Sequence, residues 1–139
     1  MTNASRQHLG EIALVALEHA PTQARTLFQR ALRSQFAYSR NIAAAALAVL
    51  DEPWSRDELI AALSESSDQQ KTAECRPALR RCNSSDAQDA VITWERHNLV
   101  RPEATTLDSL GDSIASDSSL EYEMYALHDR IIGLRGRIR

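Results

Sequence analysis

Glycine and proline are scarce in this chain, four of each among 139 residues, which argues against a turn-rich all-β fold. Cysteine occurs only at Cys75 and Cys82. Seven positions apart in a helical pattern, the two would lie about 10 Å apart on one face, too far for a disulfide. They read as small buried hydrophobes of a protein kept in a reducing compartment. Long apolar runs are missing as well. No stretch approaches the roughly 20 residues of a membrane helix, and the run at 12–17, directly behind Glu11, is too short for a signal-peptide core. The expectation is a cytoplasmic protein with no membrane contact.

Motifs of catalysis are also missing. There is no glycine-rich phosphate loop, nucleophile elbow or His-Glu-x-x-His, and neither cysteine has the close Cys/His spacing of a zinc site. His97 and the pair His128-Asp129 are similar to the His…His-Asp pattern of metal phosphohydrolases. That pattern needs a further downstream aspartate, and residues 130–139 contain no acid. No catalytic residue, cofactor or metal site is therefore expected, and the chain does not read as an enzyme.

What is present favours helix. The hydrophobic fraction is 43% and the charged fraction 25%, as in an ordinary globular domain, and the helix-favouring residues Ala, Leu, Arg, Gln and Glu are plentiful. Apolar residues return at helical spacing along nearly the whole chain. Leu9, Ile12, Ala13, Ala16 and Leu17 mark a first helix that Pro21 ends; Ala24, Leu27, Phe28, Ala31 and Leu32 mark a second. A third spans about 39–50, with an alanine run at 43–46. Asp51-Glu52-Pro53 stops it. Ser55 with Glu58 reads as a capping box ahead of Leu59, Ile60 and Leu63. Cys75, Ala78, Leu79 and Cys82 follow, with Pro77 requiring a helix start or a kink. Ser85 with Gln88 reads as a second capping box, before Ala87, Ala90, Val91 and Trp94. Phe28, Phe36 and Trp94 are expected in the core.

Residues 102–119 read as an acidic, serine-rich linker, within which Leu107, Leu110 and Ile114 allow a short helix. Ser118 with Glu121 reads as a third capping box. Beyond it Leu120, Met124, Leu127, Ile131, Leu134 and Ile138 recur at steps of 4, 3, 4, 3 and 4, a heptad seam over 118–139. Such a seam serves either as a strap across the chain's own body or as a dimerisation helix.

The first six helices fall into three pairs. Pro53 follows Pro21 by 32 positions and Ser85 follows Pro53 by 32, each at the turn inside a pair. A fixed period in this range marks stacked helical repeats. Ser39-Arg-Asn-Ile-Ala-Ala-Ala-Ala-Leu-Ala-Val-Leu-Asp51, continuing to Leu63, resembles a HEAT-type repeat, with its Ala-rich first helix, acidic-Pro turn and Leu-rich second helix. Ala24, Phe28 and Ala31 are similar to the second helix of a tetratricopeptide repeat, without the proline expected after them. Either resemblance implies a binding surface rather than chemistry. The expected fold is all-α: antiparallel helix pairs over 1–101 stacked as a short right-handed α-solenoid or bundle, followed by the linker and an amphipathic C-terminal helix.

The expected function is non-catalytic protein–protein interaction, with a homodimer through the last helix as one form of it. Because Tyr, Trp and Arg dominate interface energetics, the candidate contacts are Tyr38, Trp54, Arg80, Arg81, Tyr122, Tyr125, Arg135 and Arg137. The alternative is a winged-helix DNA-binding regulator over residues 54–102. In it, helices 55–63 and 86–99 would precede a wing at 100–106, and Arg76, Arg80, Arg81 and Arg96 would meet phosphates. The net charge of −3 gives no general drive toward nucleic acid, and Asp86, Asp89 and Glu95 would share the reading helix. Arg25, Arg30, Arg33 and Arg40 read as a solvated surface.

Overall fold

The computed structural model describes residues 8–67, 72–98 and 107–134, from the backbone alone over 107–119. Helices and turns account for them, with no strand among the described residues. In chain order the helices are α1 (Leu9–His19), α2 (Pro21–Leu32), α3 (Ala37–Leu50), α4 (Pro53–Ser64), α5 (Cys75–Arg81), α6 (Ser85–Asn98) and α7 (Leu107–Ile132). None is long and apolar enough to cross a membrane.

Each of the pairs α1/α2, α3/α4 and α5/α6 folds back on itself, and the pairs stack in sequence. First helices α1, α3 and α5 form one layer, second helices α2, α4 and α6 the other. The 32-residue period is thus the rise of the stack. Pro21 and Pro53 open α2 and α4, where a missing N–H costs nothing because the first amides of a helix are unpaired anyway. Pro77 falls in the first turn of α5, so that helix needs no kink.

The centre of the molecule is α3, which touches α1, α2, α4, α5 and α7. Every residue from 42 to 50 is buried, because the helix has neighbours on all sides. Its four consecutive alanines keep those neighbours close. Gly10 does the same from the other side: a Cβ there would sit 2.7 Å from the Ser39 carbonyl oxygen. The stripe of α1 is consequently rotated from its expected position. Gly10 and Leu14 face inward, while Ile12, read from the sequence as core, is 36% exposed beside exposed Val15. Phe36 is also only half-buried, since it stands at the α3 N-cap rather than on a packed face.

Asp51 ends α3 in the left-handed conformation, φ 45°. A short side chain that bonds locally makes this tolerable. Asp51 accepts from Arg56 at 2.8 Å and from the Asn83 backbone N–H at 3.2 Å, fastening the second pair to the third.

The heptad seam is spent within the chain. Leu120, Leu127 and Ile131 are buried, with Met124 and Leu134 packed at the margin, and α7 lies against α3 and secondarily α5. Arg81 of α5 pairs with Glu121, and Glu18 of α1 pairs with Arg130. The helix therefore straps the first-helix layer from its α5 side to its α1 side. Its backbone is one helix from Leu107, so the boundary read at Ser118 is not a break in structure.

The capping assignments need correction too. The N-cap of α4 is Glu52, three residues before Ser55: Ser55 Oγ accepts from the Glu52 N–H at 2.9 Å, and Glu58 is released for another role. Gln88 closes the preceding helix instead, its amide donating to the carbonyls of Leu79, Arg80 and Cys82 at 3.1–3.2 Å. In each case the Ser-x-x-Glu/Gln spacing is real but the backbone start lies elsewhere.

Candidate functional site

Three arginines of the first half tie successive pairs together, Arg25 and Arg33 while still partly solvated and Arg40 largely buried. Arg25 reaches Glu58 at 2.9 Å, Arg33 reaches Glu65 at 2.6 Å, and Arg40 reaches Glu74 at 3.1 Å. Gln29 adds a donor to Glu58 at 3.1 Å. The sequence separations are 33, 32 and 34, the repeat period within two residues. These pairs set register, and the sequence signal for them was an arginine matched to an acid one period downstream.

The arginine set of the DNA-binding alternative is largely engaged within the chain. Arg80 pairs with Glu95 at 2.6 Å, Arg81 with Glu121, and the Arg76 guanidinium stacks 4.8 Å over Trp94. Arg96 is exposed. The wing residues 100–106 lie outside the described residues, as do Arg135 and Arg137.

The candidate contact aromatics divide. Trp54 is 6% exposed and packs against Phe28 at 6.5 Å with Arg25 over its ring, so it is core, not surface. Tyr38 is half exposed; its hydroxyl donates to Glu11, which raises its pKa above the usual tyrosine value. Tyr122 and Tyr125 stand 71% and 86% exposed on the outer face of α7, opposite the seam.

Burial pushes the thiols of Cys75 and Cys82 up to about 12, far from a reactive thiolate. His97 is exposed and bonds the Thr93 carbonyl of its own helix at 2.8 Å. His128 and Asp129 are exposed neighbours 3.4 Å apart. No group of three or more metal-ligating side chains occurs among the described residues.

One concavity stands out. Between α4 and α6, on the second-helix layer, lies a groove of about 520 Å³ lined by Ile60, Ser64, Asp86, Asp89, Ala90, Thr93, Trp94, His97 and Asn98. Its apolar lining is Ile60, Ala90 and Trp94, and Trp94 is held by its Nε1 donating to the Ser66 carbonyl at 2.7 Å. The rim carries Asp86 and Asp89, both exposed and without an ion-pair partner among the described residues, and no Lys or Arg lines it. Exposed Ile92 lies on the same helix. Sequence reading singled out Asp86, Asp89, Trp94 and His97 for other reasons and missed this groove because it combines residues of two pairs that only stacking brings together. No family model, curated protein or solved structure matches the chain; the structure supports stacked helix pairs, without a HEAT or tetratricopeptide identity.

Proposed function

We infer that this chain is a non-catalytic helical scaffold that binds a protein segment in the α4–α6 groove. The observation that carries this reading is how the two layers differ. In the first-helix layer α7 packs over α3 and part of α5, whereas among the described residues no helix crosses the second-helix layer, and the groove with its apolar and polar lining lies there. That combination is what a short recognition segment requires: burial for affinity, charge at the edge for specificity. The raised pKa values of the two buried cysteines support binding over thiol chemistry.

The test is affinity capture of native partners with the wild-type chain and with two variants. Thr93→Arg places a long cation in the groove, while Tyr122→Ala with Tyr125→Ala strips the outer face of α7. The expected outcome is loss of captured protein with the first and retention with the second. The reverse pattern would move the binding surface to α7. Salt-sensitive duplex DNA binding that disappears with Arg80→Ala plus Arg81→Ala would replace the reading with the nucleic-acid one.

A further inference from the structure

We propose that the α4–α6 groove receives the arginine-rich segment 135–139 of a second copy of this chain. The proposal rests on the groove being a binding surface and names its occupant.

The argument begins with charge. Asp86 and Asp89 have no ion-pair partner among the described residues, and no Lys or Arg is among the described residues that line the groove. The segment 135–139 reads Arg-Gly-Arg-Ile-Arg, three arginines and no acid. Carboxylates are matched best by the guanidinium fork, which can donate two parallel hydrogen bonds to one acid.

Spacing agrees with charge. Asp86 and Asp89 are three apart on α6, which puts their Cβ atoms about 5–6 Å from each other. Alternate residues of an extended chain are about 6.6 Å apart and project to the same side. Two successive arginines among 135, 137 and 139 therefore meet the two aspartates in register. The intervening positions project to the other side, toward α4. There Ile138 can cover Ile60, and Gly136 adds no side chain.

Reach selects a second copy over the same one. Leu134 packs on its own core, and Arg130 is anchored to Glu18 of α1, at the far end of the stack from α6 and on the opposite layer. With neighbouring helices about 8–10 Å apart, two steps along the stack and one between layers need some 20–25 Å even by a direct line. Five extended residues span at most about 17 Å, so the Arg139 side chain alone could close the remainder. Arg137, about 7 Å of backbone earlier, could not, and the two aspartates call for two arginines. Bridging to the groove of another copy meets no such limit, and two copies can each fill the other's groove.

The experiment is light scattering coupled to size exclusion on the full chain. The expected result is a dimer in about 0.05 M salt that falls to monomer in about 0.5 M, as screening removes exposed ion pairs. Asp86→Asn with Asp89→Asn, and separately Arg135→Ser with Arg137→Ser and Arg139→Ser, should each weaken association by about tenfold or more. Mixing those two variants leaves one intact tail and one intact groove on different chains, and should restore a one-to-one heterodimer. A wild-type chain that is monomeric at low salt overturns the proposal, as does a dimer unaffected by either variant or a mixture that stays monomeric. If the chain is monomeric yet Thr93→Arg still abolishes capture of other proteins, this inference falls and the groove remains the binding surface.

Discussion

Arg40 and Glu74 meet at 3.1 Å across the junction of the second and third pairs, with only 11% and 13% of their side chains exposed. The two respond to burial differently from the exposed pairs of the stack. Glu65 is held below the usual carboxylate range by the hydrogen bond from Arg33, and Glu18 by the one from Arg130. Glu74 is pushed up, because desolvation outweighs the bond from Arg40.

A carboxyl whose pKa is higher folded than unfolded holds its proton more tightly in the native state. Its ionisation therefore subtracts stability, nothing below the ordinary carboxylate pKa and the full amount once pH has risen past the folded value. Arg40→Ala removes the partner that limits this cost and should raise the Glu74 pKa further. The expected loss is about 3 kcal/mol near pH 8, where the carboxylate would be buried and unpaired. Near pH 5 the loss should shrink, because the carboxyl can protonate instead. Urea unfolding at the two pH values checks it, and a loss independent of pH would show that the charge of Glu74 is not the issue.

Gly10 and Gly133 make an opposed pair. Alanine at 10 would gain about 1 kcal/mol of helix propensity. Its Cβ would also stand 2.7 Å from the Ser39 carbonyl and 3.1 Å from Ile42 Cβ, and α1 must then move off α3. Overpacking of this kind costs about 1–3 kcal/mol, so Gly10→Ala should lower Tm. Nothing lies within 4 Å of a Cβ at 133, so Gly133→Ala should leave Tm unchanged or raise it. Calorimetry of both variants decides whether close approach or propensity governs each site.

The two tryptophans test hydrogen bonding in the same way. Trp54 Nε1 is buried without a partner among the described residues, whereas Trp94 Nε1 donates to Ser66 and its ring carries Arg76. An orphaned buried donor costs about 1–3 kcal/mol. Trp54→Phe removes that cost along with some volume, and should be tolerated to within about 1.5 kcal/mol. Trp94→Phe loses a satisfied bond, a cation–π contact and part of the groove lining. Denaturant midpoints should fall further for Trp94→Phe; equal losses would mean that volume alone matters.

Period and pairing were legible because they are statements about every third or fourth side chain, and the expected all-α stack of helix pairs with a separate C-terminal helix is what forms. Local starts were less so. Ser55 and Glu58 have capping-box spacing, but Glu52-Pro53 begins the helix earlier, and Glu58 is drawn to Arg25 of another pair. Trp54 was offered as a surface contact because an aromatic beside a turn is ambiguous until a neighbouring pair covers it, here with Phe28. The groove was invisible for a related reason: Ile60 and Asp89 belong to different pairs, and only stacking makes them neighbours.

The two faces of α7 should differ sharply under truncation. Ile131 is fully buried, and Ile131→Ala deletes packed methylenes against a helix that cannot easily follow, at a cost of about 2–4 kcal/mol. Tyr122 and Tyr125 touch little, and replacing both by alanine should change stability by no more than about 0.5 kcal/mol each. The seam also predicts how loss occurs. With Leu120, Leu127 and Ile131 as its buried anchors, a weakened α7 should lift from α3 before the pairs separate, exposing the alanine-rich surface beneath. Hydrogen exchange on Ile131→Ala should therefore show protection falling first across residues 120–132, with α1 and α4 unchanged. Uniform loss over all helices would mean that the strap and the stack unfold as one unit.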